Sequence, residues 1–273
     1  MDRFAGRVVL VTGASSGIGA AVAREFARQG ADLVLAARRL PRLVDLAAEV
    51  RATGRRALAV SCDVTEDGAV EQAVRQALEA FGRLDIAVAN AGFGVVGPFE
   101  RLPLDDYRRQ FETNVFGVLR TASAALPALR SSRGTLVIVG SVSGHVPAAG
   151  ASAYAMSKAA VHAFAASLRG EVLVAGVGVV LVSPGFVESE LRRVDNRGVH
   201  HPDARDAVPP WLVVPAARAA RGIVRAVARR RREVVVTGHG KVIVWLARHL
   251  PSLLAVVLER GGYRSRGEPT EPR

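Results

Sequence analysis

Cysteine is nearly absent from this sequence. Cys62 stands alone, which excludes a disulfide within the chain and fits a reducing compartment. It is expected to pack in or beside a strand rather than to react. Aromatic residues are also scarce, 5% of the chain, and the basic residues are not interleaved with rings. Stacking platforms for single-stranded nucleic acid are therefore missing, no nucleic-acid module is recognisable, and nucleic acid is not an expected partner. No apolar run reaches the roughly 20 residues that span a bilayer. The opening Met-Asp-Arg-Phe lacks the apolar core of a secretory leader, so a cytoplasmic protein is expected. There is no solenoid-type repeat and no long linker. His200 and His201 are adjacent and have no cysteine near them, which is poor ligand spacing, and no metal is expected.

What remains is a regular alternation. Strand-like apolar runs lie at 7–12, 32–37, 56–61, 84–90, 134–140 and 177–183. Helical patterns lie between them at 17–29, 40–53, 66–81, 103–129 and 152–175. A further helix is expected at 216–229 and a seventh strand at Glu233–Thr237. Alternation of this kind predicts an α/β fold: a parallel sheet of about seven strands with helices on both faces. The length, 273 residues, suits a single large domain with a sizeable core.

The net charge of +12 is uneven, for residues 216–273 hold twelve arginines and one lysine against four glutamates. A basic end of this kind suits anionic lipid or an acidic carrier protein, although an arginine-rich composition raises charge without any function. Within that end, residues 242–258 are apolar but interrupted by Arg248, His249 and Pro251. They are expected to cap a substrate site or pack in an oligomer interface. The alternative is a helix lying on a membrane surface with its arginines reaching the headgroups. Beyond Gly261 the tail is polar and expected to be disordered.

The first strand runs into Gly13-Ala-Ser15-Ser16-Gly17-Ile18-Gly19 and then a helical pattern. Strand, glycine turn and helix is the context of a dinucleotide loop. Glycines let the backbone approach a pyrophosphate, the helix N-terminus offers free N–H groups and the positive end of its dipole, and Ser15 and Ser16 add hydroxyls. The second strand ends at Ala37-Arg38-Arg39 with no carboxylate. An acid at that place selects NAD, whereas an arginine accommodates the 2′-phosphate of NADP. NADP(H) is therefore expected, with Arg38 as its main phosphate ligand and Arg39 beside it.

Tyr154 and Lys158 stand four residues apart in a helical run, hence on one helix face. An ammonium beside a phenol lowers its pKa toward physiological pH, and a phenol so tuned can exchange a proton in catalysis. Ser141 ends the fifth strand, where ligand crevices of open α/β sheets lie, and its hydroxyl can stabilise a developing oxyanion.

With these residues assembled, the chain resembles the short-chain dehydrogenase/reductase family. The resemblance is strong over about residues 5–190 and looser to about 235. Its motifs appear as Thr12 to Gly19, Cys62-Asp63-Val64, Asn90-Ala91-Gly92, Asn114, Ser141, Tyr154 with Lys158, and Pro184-Gly185-Phe186-Val187. The resemblance implies a Rossmann-type doubly wound sheet over residues 1–237, with an extension and tail at 238–273. It implies that Asp63 meets the adenine, with Val64 beside it, and that Asn90, Ala91 and Gly92 floor the coenzyme site. Pro184, Gly185, Val187 and Ser189 would position the nicotinamide. Ser189 stands where family members usually carry threonine. Lys158 would also hold the nicotinamide ribose, and Asn114 a water linking Lys158 to solvent.

The expected activity is NADP(H)-dependent interconversion of a carbonyl and a secondary alcohol. Tyr154 is its general acid/base, and Ser141, Lys158 and Asn114 complete the catalytic set. The segment at about 188–215 is expected to cover the site. Trp211, Leu212, Phe186, Phe93 and Val95 suggest an apolar pocket for a lipophilic substrate. A homodimer or homotetramer is expected. A 3-oxoacyl-carrier reductase and a non-catalytic NADP-binding sensor are the alternatives.

Overall fold

The apolar run after Arg7 forms strand β1 (Val8–Thr12), every residue of which is buried. This holds in the computed structural model, which describes residues 2–260 other than 202, 205 and 207, and of 257–260 the backbone alone. Successive side chains of a strand point to opposite faces. Val9 and Val11 accordingly join one apolar layer, while Val8 and Leu10 join the other. Both faces are covered, so the strand reads as a continuous apolar run rather than an alternating one.

Six more strands follow: β2 (Asp32–Ala37), β3 (Ala57–Ser61), β4 (Ile86–Ala89), β5 (Thr135–Val139), β6 (Gly178–Ser183) and β7 (Glu233–Val235), the two edge strands β3 and β7 being only partly buried. They form one parallel sheet in the order β3-β2-β1-β4-β5-β6-β7. Helices α1 (Gly17–Arg28), α2 (Leu40–Ala52) and α7 (Ala216–Ala228) cover one face. Helices α3 (Ala69–Phe81), α5 (Gly117–Ser132) and α6 (Ser152–Val172) cover the other. After β3 the chain returns to the opposite side of β1. The strand order thus reverses between β1 and β4, and a crevice opens there beyond the strand C-termini.

The helix expected at 103–129 differs in one respect. It is helix α4 (Leu104–Phe111), then one π-helical stretch (Glu112–Phe116), then α5. The wider turn moves the following residues around the axis, a device common at functional sites. It leaves Asn114 fully buried.

The C-terminal extension forms α8 (Gly238–His249) and α9 (Pro251–Arg260), separated at Leu250 because proline cannot continue the first helix's hydrogen bonding. Thr237 caps α8 by accepting the Gly240 N–H at 3.3 Å. Arg248 ties α8 to Glu233 of β7 at 2.8 Å, and His239 Nε2 accepts the Phe186 N–H at 3.0 Å. Val242 and Trp245 stay exposed on the outer face. Among the described residues, no helix is long and apolar enough to cross a membrane. The tail expected to be disordered lies outside the described residues.

Phe26 is the largest fully buried side chain in the layer under α1, and it meets the Phe4 ring edge-on with centroids 5.0 Å apart. Phe26→Ala is expected to cost about 3–5 kcal/mol in urea unfolding, as lost transfer energy plus cavity. A loss under about 1 kcal/mol would show that this layer does not hold α1 on the sheet.

Candidate active site

Strand β1 ends where the glycine loop begins, and the loop packs against the end of β4. Asn90 joins the two: its Nδ2 donates to the Thr12 carbonyl at 2.9 Å, and its N–H donates to Thr12 Oγ1 at 3.1 Å. A Cβ on Gly19 would press into the Gly13 carbonyl and lie 2.6 Å from Asn90 Nδ2, so only glycine lets α1 start this close to the strand. The N-cap residue Ser16 makes no side-chain cap bond. The first-turn N–H groups of α1 therefore remain available to an anion.

Ser141 stands two residues beyond β5, after Gly140, and opens a short 3-10 turn. Its Oγ accepts the Ser143 N–H at 3.1 Å, and its own N–H donates to His162 Nε2 at 3.4 Å. Lys158, 5% exposed, donates from Nζ to the Val139 carbonyl at 2.9 Å. One face of α6 thus brings Tyr154, Lys158 and His162 to the end of β5.

The electrostatics differ from the expectation that Lys158 lowers the Tyr154 pKa. Burial raises the Tyr154 phenol above its ordinary value, while the Ser141 hydroxyl and the Arg192 charge act in the opposite sense. The Lys158 ammonium is drawn to Val139 and sits 5.8 Å from the tyrosine ring centroid. Burial lowers Lys158 itself to about 8. Burial, with the charges of His145, Lys158 and Arg248 outweighing that of Glu233, lowers His162 to about 4. His162 is thereby neutral near pH 7 and free to accept the Ser141 N–H.

The Asn114 carboxamide is held by protein on both sides: Oδ1 accepts the Phe93 N–H at 3.1 Å, and Nδ2 donates to the Phe93 carbonyl at 3.0 Å and Ser157 Oγ at 3.2 Å. It brackets the strand-end loop against α6. A Cβ on Gly92 would lie 2.8 Å from Asn114 Oδ1 and 3.7 Å from Lys158 Nζ, so Gly92 is the spacer between them.

Arg38 is 68% exposed at its side chain, and its one ion pair, to Asp63, is long at 3.8 Å. Asp63 Oδ1 closes a turn by accepting the Thr65 N–H at 3.0 Å and its hydroxyl at 2.8 Å. Arg39 is held on the glycine loop: Nη2 donates to Ser16 Oγ at 2.8 Å and to Ser15 Oγ at 3.0 Å, and Nη1 meets Glu190 at 2.7 Å. Burial alone would raise the Glu190 carboxyl, but hydrogen bonds from Arg42 and Arg39 hold it down at about 2. Cys62 is buried beside this region, and burial together with Asp63, Glu66 and Glu71 pushes its thiol up to about 11, consistent with an unreactive packing role.

Every candidate site residue except Asn114 lines one groove of about 650 Å³ running from the end of β2 to Tyr154. Of the five residues expected to form an apolar pocket, only Phe93 does so. Val95 is fully buried in the interior, Trp211 is 80% exposed, and neither Phe186 nor Leu212 reaches the groove. The groove beyond Tyr154 is lined instead by Leu191 and Val194 with Arg192, Arg197 and His200. Sequence reasoning missed these three basic groups and Glu190 because they act from an irregular segment without a motif. Among the described residues, none of α8 or α9 lines the groove. No cluster of His, Cys, Asp or Glu suited to a metal is present among the described residues.

The model of the short chain dehydrogenase family matches residues 7–199. The 11-beta-hydroxysteroid dehydrogenase A of Sesamum indicum is 38% identical over 98% of this chain and 79% of its own length. A short-chain dehydrogenase from Burkholderia cenocepacia J2315 in complex with NADP superposes with a TM-score of 0.77 at 32% identity, over 88% of this chain and 99% of that one. A short-chain dehydrogenase/reductase from Burkholderia phymatum in complex with NAD gives a TM-score of 0.80 at 26% identity, over 98% and 99%. This chain belongs to the short-chain dehydrogenase family. Membership makes it an oxidoreductase of CH–OH groups that works with a nicotinamide dinucleotide.

The His162 pKa predicts acid sensitivity. The folded value, about 4, lies below the ordinary 6.5, so between these pH values the unfolded chain binds the extra proton. Stability from this group is complete above about pH 6.5 and declines as pH falls toward 4. Urea unfolding across that range should show the decline in wild type and a weaker one in His162→Asn. An unchanged slope would dissociate His162 from it.

Proposed function

We propose that the protein is an NADP(H)-dependent carbonyl reductase or alcohol dehydrogenase, with Tyr154 as general acid/base. The observation that carries this reading is the convergence of Ser141, Tyr154 and Lys158 at one end of a groove whose other end holds Arg38 and the glycine loop. The groove suits the coenzyme on physical grounds: uncapped helix N–H groups, serine hydroxyls and arginines line its phosphate end. The nicotinamide, when bound, supplies or takes up the hydride.

The chain's own residues do the rest. Ser141, anchored through its N–H and Oγ, holds the substrate oxygen as charge gathers there. Tyr154 gives that oxygen a proton in reduction and removes it in oxidation. Lys158 lies close behind, and its burial lets it pass protons near pH 8. Asn114 positions the loop above them rather than touching the substrate.

The preference for NADP(H) over NAD(H) rests on the end of β2, where no carboxylate opposes a 2′-phosphate. Arg39 is occupied by Ser15, Ser16 and Glu190, whereas Arg38 is exposed and weakly paired. That contrast favours Arg38 as the phosphate ligand. The lipophilic substrate reading draws on the hydroxysteroid relative and on Phe93, Leu191 and Val194 in the groove. A homo-oligomer is supported by the exposed Phe99 and Leu104 at the entry to α4, and peripheral membrane contact by the exposed Val242 and Trp245 of α8.

Tyr154→Phe should lower kcat by at least about a thousandfold, at the upper end of proton-transfer contributions, while NADPH fluorescence titration gives a nearly unchanged Kd. Full turnover in that variant would sink the mechanism. Arg38→Asp should reverse the coenzyme preference, and a retained NADP preference would refute the assignment.

A further inference from the structure

We infer that the substrate carries an anionic group, a carboxylate, and that the hairpin at residues 194–200 holds it beyond Tyr154. This rests on the reading of the protein as a carbonyl reductase and narrows its substrate to a lipophilic oxo acid or hydroxy acid.

The segment after β6 passes the parts of the groove in order. Ser189 abuts the glycine loop, since a Cβ on Gly17 would lie 3.0 Å from Ser189 Cβ. Glu190 reaches Arg39 and Arg42 on the coenzyme side. Leu191 and Tyr154 close on Gly94 from two sides, at 3.4 and 3.6 Å from where its Cβ would stand. Beyond Leu191, the residues Arg192, Val194, Arg197, Gly198 and His200 line the same groove as Tyr154.

These residues form a built hairpin. Val194 and His200 pair as antiparallel neighbours, the Asp195 N–H donates to the Val199 carbonyl at 2.9 Å, and Gly198 closes the turn by donating to the Asp195 carbonyl at 3.0 Å. Asn196 fixes it across the mouth through two bonds to the Val96 backbone, at 3.0 and 3.1 Å. Arg192, Arg197 and His200 are thereby presented to the groove.

The nearby acids are spent elsewhere. Asp206 meets Arg192 Nε at 2.6 Å, and Glu112 meets Arg120 at 2.7 Å. Asp195 accepts two N–H groups of its own hairpin and pairs with His201 at 2.9 Å. Arg109, on the facing wall, pairs with Asp106. Arg197 has no ion pair among the described residues, and His200 Nε2 is enclosed without a hydrogen-bond partner among them. A buried imidazole nitrogen left unmatched calls for a partner. Arg197, in the same hairpin and lining the same groove, offers the fork that carboxylates fit. Phe93, Leu191 and Val194 supply the apolar walls for the body of the molecule.

The test compares NADPH-dependent reduction of straight-chain oxo acids of varied ketone position with their primary amides. The acid should be preferred by roughly tenfold or more in kcat/KM, mostly through KM. Arg197→Gln combined with His200→Ala should bring the ratio near one with the NADPH Kd retained. Arg197→Lys should keep most of the preference. Calorimetry of the same pairs on NADPH-loaded Tyr154→Phe reads the preference without turnover. It therefore decides the anion site even if no ketone is reduced, an outcome that would instead count against the reductase reading. Equal acid and amide binding, or substitutions that weaken NADPH and leave the acid preference intact, would overturn the inference.

Discussion

Everything at this site depends on how one face of α6 is bolted to the end of β5. Tyr154, Lys158 and His162 recur at four-residue intervals, so they stack on that face. Lys158 donates to the last carbonyl of β5, and His162 receives the N–H of Ser141, the second residue beyond it. The other side of the helix is sunk in the apolar layer through Val161, Ala165, Leu168 and Val172. Sheet and helix are both rigid, so the relative positions of the phenol, the ammonium and the serine are set by packing rather than by a loop.

That packing has an electrostatic consequence. Close approach removes water from Lys158 and His162 as well as from the phenol, and desolvation disfavours the charged form of each. The three groups therefore keep the phenol protonated, the ammonium easily discharged and the imidazole neutral at ordinary pH. A protonated phenol with an adjacent proton reservoir is the state that carbonyl reduction draws on. The Ser141 hydroxyl and the Arg192 charge oppose the rise that burial gives the Tyr154 phenol.

Much of this was legible in the sequence, for identifiable reasons. Strands buried on both faces must be apolar throughout, so each of the runs from β1 to β6 stood out within two residues of its observed bounds. Parallel strands all end on one side of a sheet, so motif residues following β1, β2, β3, β4, β5 and β6 had to converge. Other features have no local signature. A π-helical turn adds a residue to a helix that otherwise keeps its composition, so the inward turn of Asn114 could not be read. The Arg39 to Glu190 pair spans 151 positions. Hydrophobicity also does not say which way a side chain faces. Val95 went to the core, Trp211 to the surface, and only Phe93 to the groove.

The segment after β6 ties these parts together. Within a dozen residues it reaches the glycine loop at Ser189, the arginines beside the second strand at Glu190, Gly94 next to Tyr154 at Leu191 and the facing loop at Asn196. Glu190 lines the groove and pairs with both Arg39 and Arg42, so its carboxylate engages the same charges that a phosphate would meet there. Only Leu191 to Arg193 separate Glu190 from the hairpin. Coenzyme site and substrate site are consequently not independent pockets. On the proposed reading they share one short strip of backbone, which runs from Ser189 at the glycine loop to Asn196 at the facing loop.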